Sequence, residues 1–121
     1  MLKDNLHKVQ TQIAEALTRR TETKLTGDKV TLVAVTKNHP VDVVLESLAL
    51  GVTNIGENRV QELTAKLAQN AYDGAPVHFI GHLQTNKVNK VVGRAALIQS
   101  VDSTRLLDKI EAAAERLGLT Q

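Results

Sequence analysis

A lysine that ends an apolar segment is the residue of this 121-residue chain best placed for chemistry. Residues 30–36 are almost all apolar or β-branched, which predicts a buried strand, and Lys37 follows them directly. An amine that emerges from an apolar surface is costly to keep charged, and a lysine in such a place can form an imine with a carbonyl compound. The alternative is a lysine whose ammonium reaches water beyond the strand end. The sequence alone leaves both roles open.

Polar residues also follow the other apolar segments. Asn58 can face a ligand or cap the helix that comes after it. His82 follows a glycine, and it can donate a hydrogen bond to a phosphate or an acid or be an ordinary loop residue. Lys87 and Lys90, near a helix start, can bind an anion or form a solvated helix face. Asp102 is most simply a helix start.

Composition excludes several classes of site. The chain has no cysteine, so it has no disulfide, thiolate metal site or cysteine nucleophile. Its four histidines show no metal-ligand spacing, and the G-x-G-x-x-G, P-loop and G-x-S-x-G motifs are absent from the sequence. A net charge of +2 and 2% aromatic residues argue against a nucleic-acid partner. Because we find no signal peptide and no apolar run of membrane-spanning length, we expect a cytoplasmic protein without a membrane partner.

The elements that would position the polar residues begin with a helix. Leu6, Val9, Ile13 and Leu17 recur at steps of three and four residues, which predicts one apolar face of an amphipathic helix. A polar connection over residues 19–28 follows this helix.

Four strand–helix units come next. Strands are predicted at residues 30–36, 52–55, 76–80 and 96–101. Helices are predicted from Pro40 to before Gly51, over residues 60–67, over residues 85–92, and from Ser103 to before Gly118. Asn58 and Gln61 are placed like a capping box for the second of these helices. The last helix is predicted to bury Leu106, Leu107, Ile110, Ala114 and Leu117. Because parallel neighbours need a crossover, this alternation predicts a parallel sheet. Such sheets carry function at the C-terminal ends of their strands, which here are Lys37, Glu57-Asn58, His82 and Asp102.

Four motifs in a fixed order carry a family resemblance. They are residues 32–40 (LVAVTKNHP), 55–62 (IGENRVQE), 78–87 (HFIGHLQTNK) and 100–103 (SVDS). Together they resemble the pyridoxal phosphate homeostasis protein family, which is related to the N-terminal barrel of alanine racemase. The resemblance implies that Lys37 holds pyridoxal phosphate as an imine and that Asn58 lies in the cofactor pocket. It also implies a protein that binds, buffers and hands over the cofactor without established catalytic turnover.

The chain departs from the family pattern in its length. A complete member is a (β/α)8 barrel, and such barrels typically need about 250 residues. We therefore expect an α/β fold that is the N-terminal half of such a barrel, with residues 1–121 as a single partial domain truncated after the fourth βα unit. The resemblance places the groups that hold the cofactor phosphate and face its pyridine nitrogen in the other half. Because a half-barrel exposes two strand edges and an apolar face, we expect self-association or pairing with a complementary half.

The sequence therefore predicts a non-catalytic carrier of pyridoxal phosphate. Two alternatives stay open. One is a racemase-like enzyme that uses the same cofactor, which would need a second base on the opposite face of the cofactor. The other is a half-barrel interaction module with no ligand.

Overall fold

The computed structural model of the protein describes residues 1–20 and 29–121. The chain divides into two compact units, Met1–Leu32 and Val33–Gln121. The prediction that residues 1–121 form a single partial domain stays a prediction. No helix among the described residues is long and apolar enough to cross a membrane.

The first unit contains one helix, α1, Leu2–Arg19. The helix predicted from the apolar repeat is thus confirmed. Leu6, Ile13 and Leu17 are half-buried, whereas Val9 is 41% exposed. The predicted connection over residues 19–28 lies outside the described residues from residue 21 onward.

The second unit contains the predicted parallel sheet. Its strands are β1 (Val33–Val35), β2 (Asn54–Glu57), β3 (Val77–Phe79) and β4 (Leu97–Ile98), in the order β1-β2-β3-β4 with every pair parallel. Three strands, β1, β3 and β4, are shorter than predicted, and β2 begins and ends two residues later than predicted, because backbone pairing with the neighbouring strand and not apolar character alone sets the bounds of a strand. In β4, pairing is limited to two residues, opposite His78 and Phe79.

The sheet has two unlike faces. On the face that we call the open face, a Cβ added to Gly56 would lie 3.1 Å from Val33 and 3.3 Å from Ile80. Val35 and Leu97 on this face are 45% and 48% exposed. Because side chains alternate along a strand, the residues between these point to the opposite face. On that opposite face, the helix face, the side chains are buried, as in Ile55, Glu57 and Phe79, each 0% exposed.

Helices follow the strands as predicted. They are α2 (Val41–Ala49), α3 (Val60–Ala68), a 3₁₀ helix (Thr85–Lys90) and α4 (Thr104–Leu117). At the start of α4, the Ser103 hydroxyl accepts a hydrogen bond from the Leu106 N–H, and Gly118 ends the helix at φ +67°. These local signals were readable from the sequence.

Two helix predictions are wrong. The capping box is not formed, because the chain stays extended one residue longer than expected and Arg59 takes the N-cap position without a side-chain cap. Leu107 and Leu117 are 51% and 58% exposed rather than buried. Only one stripe of α4 packs, and Leu107 is rotated off that stripe while Leu117 is the last residue of the helix.

Candidate functional site

Lys37 lies directly beyond the carboxyl end of β1. The Thr36 N–H donates to the Gly56 carbonyl at 3.1 Å, which continues the pairing with β2 by one hydrogen bond. The chain then turns, with Asn38 at φ +64° and the His39 N–H donating to the Thr36 carbonyl at 3.1 Å. The Lys37 side chain is exposed. An amine is therefore accessible at the edge of the sheet where the carboxyl ends of the strands lie.

Asn58 follows β2 at the same edge. Its Oδ1 atom is buried and accepts no hydrogen bond from the described residues. A buried amide oxygen without a donor is costly, so this atom has unused capacity for a ligand. Gly81 makes the position possible, since a Cβ there would overlap the Asn58 carbonyl oxygen and lie 2.7 Å from its Cα.

An open cleft of about 420 Å³ gathers several of the predicted polar residues. Asn58, His82 and Lys87 line it together with Gln84. Lys37 is not among its lining residues. Asp102 and Lys90 also lie elsewhere, as exposed residues. The structure thus brings Asn58 and His82 to one cleft and leaves Lys37 beside it, at the end of the neighbouring strand.

On the helix face, sequence reasoning missed a buried polar cluster. We call it the carboxylate cluster, and it consists of Thr36, Glu57, Glu62, Lys66 and Tyr72. The Oε2 atom of Glu57 accepts hydrogen bonds from Lys66 Nζ at 2.8 Å, from the Tyr72 hydroxyl at 2.6 Å and from Thr36 Oγ1 at 3.1 Å. Its Oε1 atom is buried and has no partner among the described residues.

Lys66 is the cation of this cluster. It is 5% exposed and donates three hydrogen bonds: to Glu57 Oε2 at 2.8 Å, to the Thr36 carbonyl at 2.8 Å and to Glu62 Oε2 at 3.0 Å. An ammonium has three donors, so all of them are used. The same Oε2 atom of Glu62 accepts the Asn38 N–H at 2.8 Å. The cluster therefore contacts the backbone on both sides of Lys37.

The surroundings shift the pKa of two cluster residues. Burial acts to raise the pKa of Glu62, but the hydrogen bonds from Lys66 and Asn38 and the charge of Lys66 outweigh it, so the pKa lies below its ordinary value. Burial raises the pKa of Tyr72, and its hydrogen bond to Glu57 raises it further. Both shifts favour the protonation states that the hydrogen bonds require, an ionised Glu62 and a neutral Tyr72.

The cluster left two signals in the sequence. One is the Glu62–Lys66 pair, four residues apart on a predicted helix. The other is Glu57, an acid at the end of an apolar strand whose side chain must point away from the face of Asn58, because neighbouring residues alternate.

A second set of hydrogen bonds crosses the open face. His78 Nε2 lies 3.1 Å from Asn54 Oδ1, and Gln99 Nε2 lies 2.7 Å from His78 Nδ1. Since an amide oxygen accepts and an amide nitrogen donates, the contacts require the tautomer with the proton on Nε2. His78 is thus part of the sheet. Among residues 1–20 and 29–121, no cluster of three or more metal-ligating side chains is present.

Curated relatives share one name. The Bos taurus pyridoxal phosphate homeostasis protein is 37% identical over 119 residues, which are 93% of this chain and 43% of that protein. The Homo sapiens protein of the same name is 36% identical over 93% of this chain, and the Aquifex aeolicus (strain VF5) protein is 38% identical over 74% of it. The chain is homologous to the N-terminal half of the pyridoxal phosphate homeostasis proteins. It spans 43%, 43% and 40% of these three relatives, and no family model matches it.

Solved structures agree with the homology to pyridoxal phosphate homeostasis proteins. PipY of Synechococcus elongatus PCC7942, solved with PLP bound, matches at a TM-score of 0.78 and 34% identity, over 98% of this chain and 50% of that chain. An unknown protein from Bifidobacterium adolescentis matches at a TM-score of 0.81 and 34% identity, over 98% of this chain and 51% of that one. The predicted fold class, an α/β half of a (β/α)8 barrel with four parallel strands after an N-terminal helix, is confirmed.

Proposed function

We propose that this chain binds pyridoxal phosphate as an imine of Lys37 and serves the intracellular homeostasis of that cofactor without catalysing a reaction of its own. The names of the relatives support the homeostatic role, and the PLP-bound structure of PipY supports the ligand. A cytoplasmic location belongs to the same proposal.

One observation carries the proposal: two polar groups that could take part in ligand binding follow adjacent strand ends. The amine of Lys37 is exposed beyond β1, and the Asn58 Oδ1 acceptor is buried without a partner among the described residues beyond β2. The bound cofactor supplies an aldehyde, which suits the amine, and polar ring substituents, which suit the amide. Lys37 and Asn58 would hold it from this half.

The bonding step is a condensation that balances without an oxidant or a reductant. The neutral amine nitrogen of Lys37 bonds to the aldehyde carbon, and the carbonyl oxygen leaves as water with the two amine protons. A C=N bond replaces the C=O bond. The step is reversible, which suits a protein that stores and releases a reactive aldehyde.

The absence of catalysis is proposed because the buried acid and bases behind the end of β1 are engaged elsewhere. Lys66 and Tyr72 both donate hydrogen bonds to Glu57 on the helix face. A racemase-like activity would need a free base that faces the cofactor. Its test is exchange of the α-hydrogen of amino acids with solvent deuterium, and exchange above the rate given by free pyridoxal phosphate would support the enzyme and contradict our proposal.

The binding proposal is tested by reductive labelling. The purified chain is titrated with pyridoxal phosphate, the imine absorbance is recorded, and borohydride then reduces the C=N bond so that the modified peptide can be mapped. We expect saturable labelling at Lys37 that is lost in Lys37→Ala and kept in Lys90→Ala, an exposed lysine on the 3₁₀ helix. Labelling scattered over surface lysines and unchanged in Lys37→Ala would overturn the proposal and favour a module without this ligand.

Self-association belongs to the proposal because the open face presents apolar side chains. Val35 and Leu97 are 45% and 48% exposed on β1 and β4, and each of these strands pairs with one neighbour among the described strands. Sedimentation velocity at increasing concentration is expected to show an association that Val35→Lys with Leu97→Lys abolishes. A single monomer boundary for the unmodified chain at tens of micromolar would contradict it.

A further inference from the structure

The backbone on both sides of Lys37 hydrogen-bonds to the carboxylate cluster. On the N-terminal side, the Thr36 carbonyl accepts from Lys66 at 2.8 Å and the Thr36 hydroxyl donates to Glu57 at 3.1 Å. On the C-terminal side, the Asn38 N–H donates to Glu62 at 2.8 Å. Lys66 connects the two sides, since it also donates to Glu62 at 3.0 Å.

The turn after Lys37 is supported in this way. Asn38 has φ +64°, in the left-handed region that asparagine adopts more readily than most non-glycine residues and that contacts with the rest of the fold can stabilise further. The Asn38 amide has its acceptor in Glu62, which lies on α3 and not on the turn itself. A residue 24 positions away in the chain therefore supports the turn, in addition to the turn's own hydrogen bond from the His39 N–H to the Thr36 carbonyl.

The cluster also distinguishes the two lysines at this edge. Lys66 is 5% exposed with all three donors engaged, so its amine cannot attack an aldehyde. Lys37 is exposed. A buried ion pair is weak evidence of a gain in stability, because replacing such a pair by apolar residues of similar volume is often neutral or stabilising.

We infer that the carboxylate cluster is a positioning device for Lys37: through Lys66 and Glu62 it fixes the backbone that flanks the lysine, and so it sets how readily the Lys37 amine forms its imine. The part that concerns the imine rests on the proposed function. Glu57, Glu62, Lys66 and Tyr72 are positioning residues here, because they act through the backbone of Lys37.

The test separates positioning from stability with an apolar replacement of the pair. Glu57→Met combined with Lys66→Met removes the two buried charges together. It leaves Glu62, which is 23% exposed, with the Asn38 N–H as its partner. Tyr72→Phe is the second variant, because it deletes one hydroxyl and keeps the buried ring. Ile110→Val on α4 is the control for a small loss of core packing away from the cluster.

Two readouts are recorded on folded protein. The first is hydrogen exchange at the Asn38 amide, which needs no cofactor, with the Leu106 amide as internal reference because it too donates to a side chain, the Ser103 hydroxyl. The second is the pyridoxal phosphate concentration that gives half-maximal reduced imine at Lys37.

In the double variant Glu62 loses its hydrogen bond from Lys66 and is held less firmly as the acceptor of the Asn38 N–H. We therefore expect exchange at Asn38 to accelerate by about tenfold or more relative to Leu106, the factor that loss of one hydrogen bond to a charged group produces. The half-maximal concentration should rise by a similar factor, and Tyr72→Phe should change both readouts in the same direction by less. Ile110→Val should change neither. If the double variant does not fold, Tyr72→Phe decides.

Unchanged exchange at Asn38 in a folded variant overturns the inference. So does faster exchange with an unchanged imine yield, because the turn would then be irrelevant to the amine. If the unmodified chain itself shows no labelling at Lys37, the proposed function fails. The exchange measurement then still decides whether the cluster holds the turn.

Discussion

At the carboxyl ends of β1 and β2, the two faces of the sheet differ in how the polar groups find hydrogen-bond partners. On the helix face, Glu57 is fully buried and its Oε2 atom accepts three hydrogen bonds, while Lys66 uses all its donors. On the other side, Lys37 is exposed and the Asn58 Oδ1 atom has no partner among the described residues. Glu57 and Asn58 are consecutive, so their side chains point to opposite faces. Glu57 holds the cluster that supports the backbone, whereas Asn58 keeps an acceptor that a ligand can use.

The largest effect should come from breaking the buried pair on one side only. Lys66→Met leaves the Glu57 carboxylate buried without its counter-ion, and removing one partner of such a pair costs about 3–5 kcal/mol. Chemical denaturation should show this loss in the free energy of unfolding, whereas Lys37→Met should leave it nearly unchanged. A loss in Lys37→Met equal to that in Lys66→Met would abolish the distinction between the two faces.

A smaller loss is expected from crowding Asn58. In Gly81→Ala the new methyl group meets the Asn58 backbone, which cannot move aside cheaply, so we expect destabilisation by about 1–3 kcal/mol. Gly56→Ala is the matched control, because its methyl group would meet side-chain ends of Val33 and Ile80 at 3.1 and 3.3 Å, which can shift. Thermal unfolding of both variants tests the order. Equal losses of stability in the two variants would mean that the close contact with the Asn58 backbone is not what requires glycine at position 81.

Glu62 should contribute a still smaller and pH-dependent stabilisation. Its pKa in the folded protein is lowered from 4.5, so its contribution is complete above that value and is lost as the pH falls through the lower pKa. Because its side chain is 23% exposed, we expect Glu62→Gln to cost about 0.2–1 kcal/mol at neutral pH. Unfolding measured from neutral to acid pH should show this difference vanish in acid. If the difference in the free energy of unfolding grew in acid instead, the pKa of Glu62 would be raised in the folded protein and not lowered.

The smallest effect on stability is expected at Asn58. Asn58→Ala removes an oxygen that has no hydrogen bond to lose, so the free energy of unfolding should change by less than about 0.5 kcal/mol. The same substitution should weaken imine formation at Lys37. Denaturation and reductive labelling of the same Asn58→Ala protein should show weaker imine formation without a matching loss of stability. A large loss of stability would place Asn58 with the supporting residues instead.

The sequence predicted what depends on neighbouring residues. The apolar segments, the Ser103 cap and the Gly118 end of α4 follow from local spacing, and the alternation of strands and helices predicted the parallel sheet. The position of Lys37 just after β1 was predicted from the same local pattern, because the apolar segment ends there. The resemblance of four motifs then supplied the role proposed for Lys37.

What the sequence could not provide depends on long-range contacts. Thr36 meets Glu57 and Lys66, which lie 21 and 30 positions away, and no pattern along the chain indicates which acid faces which base. The Asn58 capping box was wrong because the chain stays extended to Arg59 before α3 begins. Leu107 was predicted to be buried from its apolar side chain and its spacing along the helix, whereas its 51% exposure depends on which other elements pack against α4.

The ion pair between Glu57 and Lys66 has a consequence for how related sequences vary. A carboxylate at position 57 without a base at position 66 would forfeit several kcal/mol, a large part of the 5–15 kcal/mol that keeps a typical domain folded. The two positions should therefore be linked: homologues without a base at position 66 should carry an uncharged residue at position 57, whereas a base at position 66 can still pair with an acid at position 62. Nine positions apart in sequence, the two residues are expected to vary as a pair.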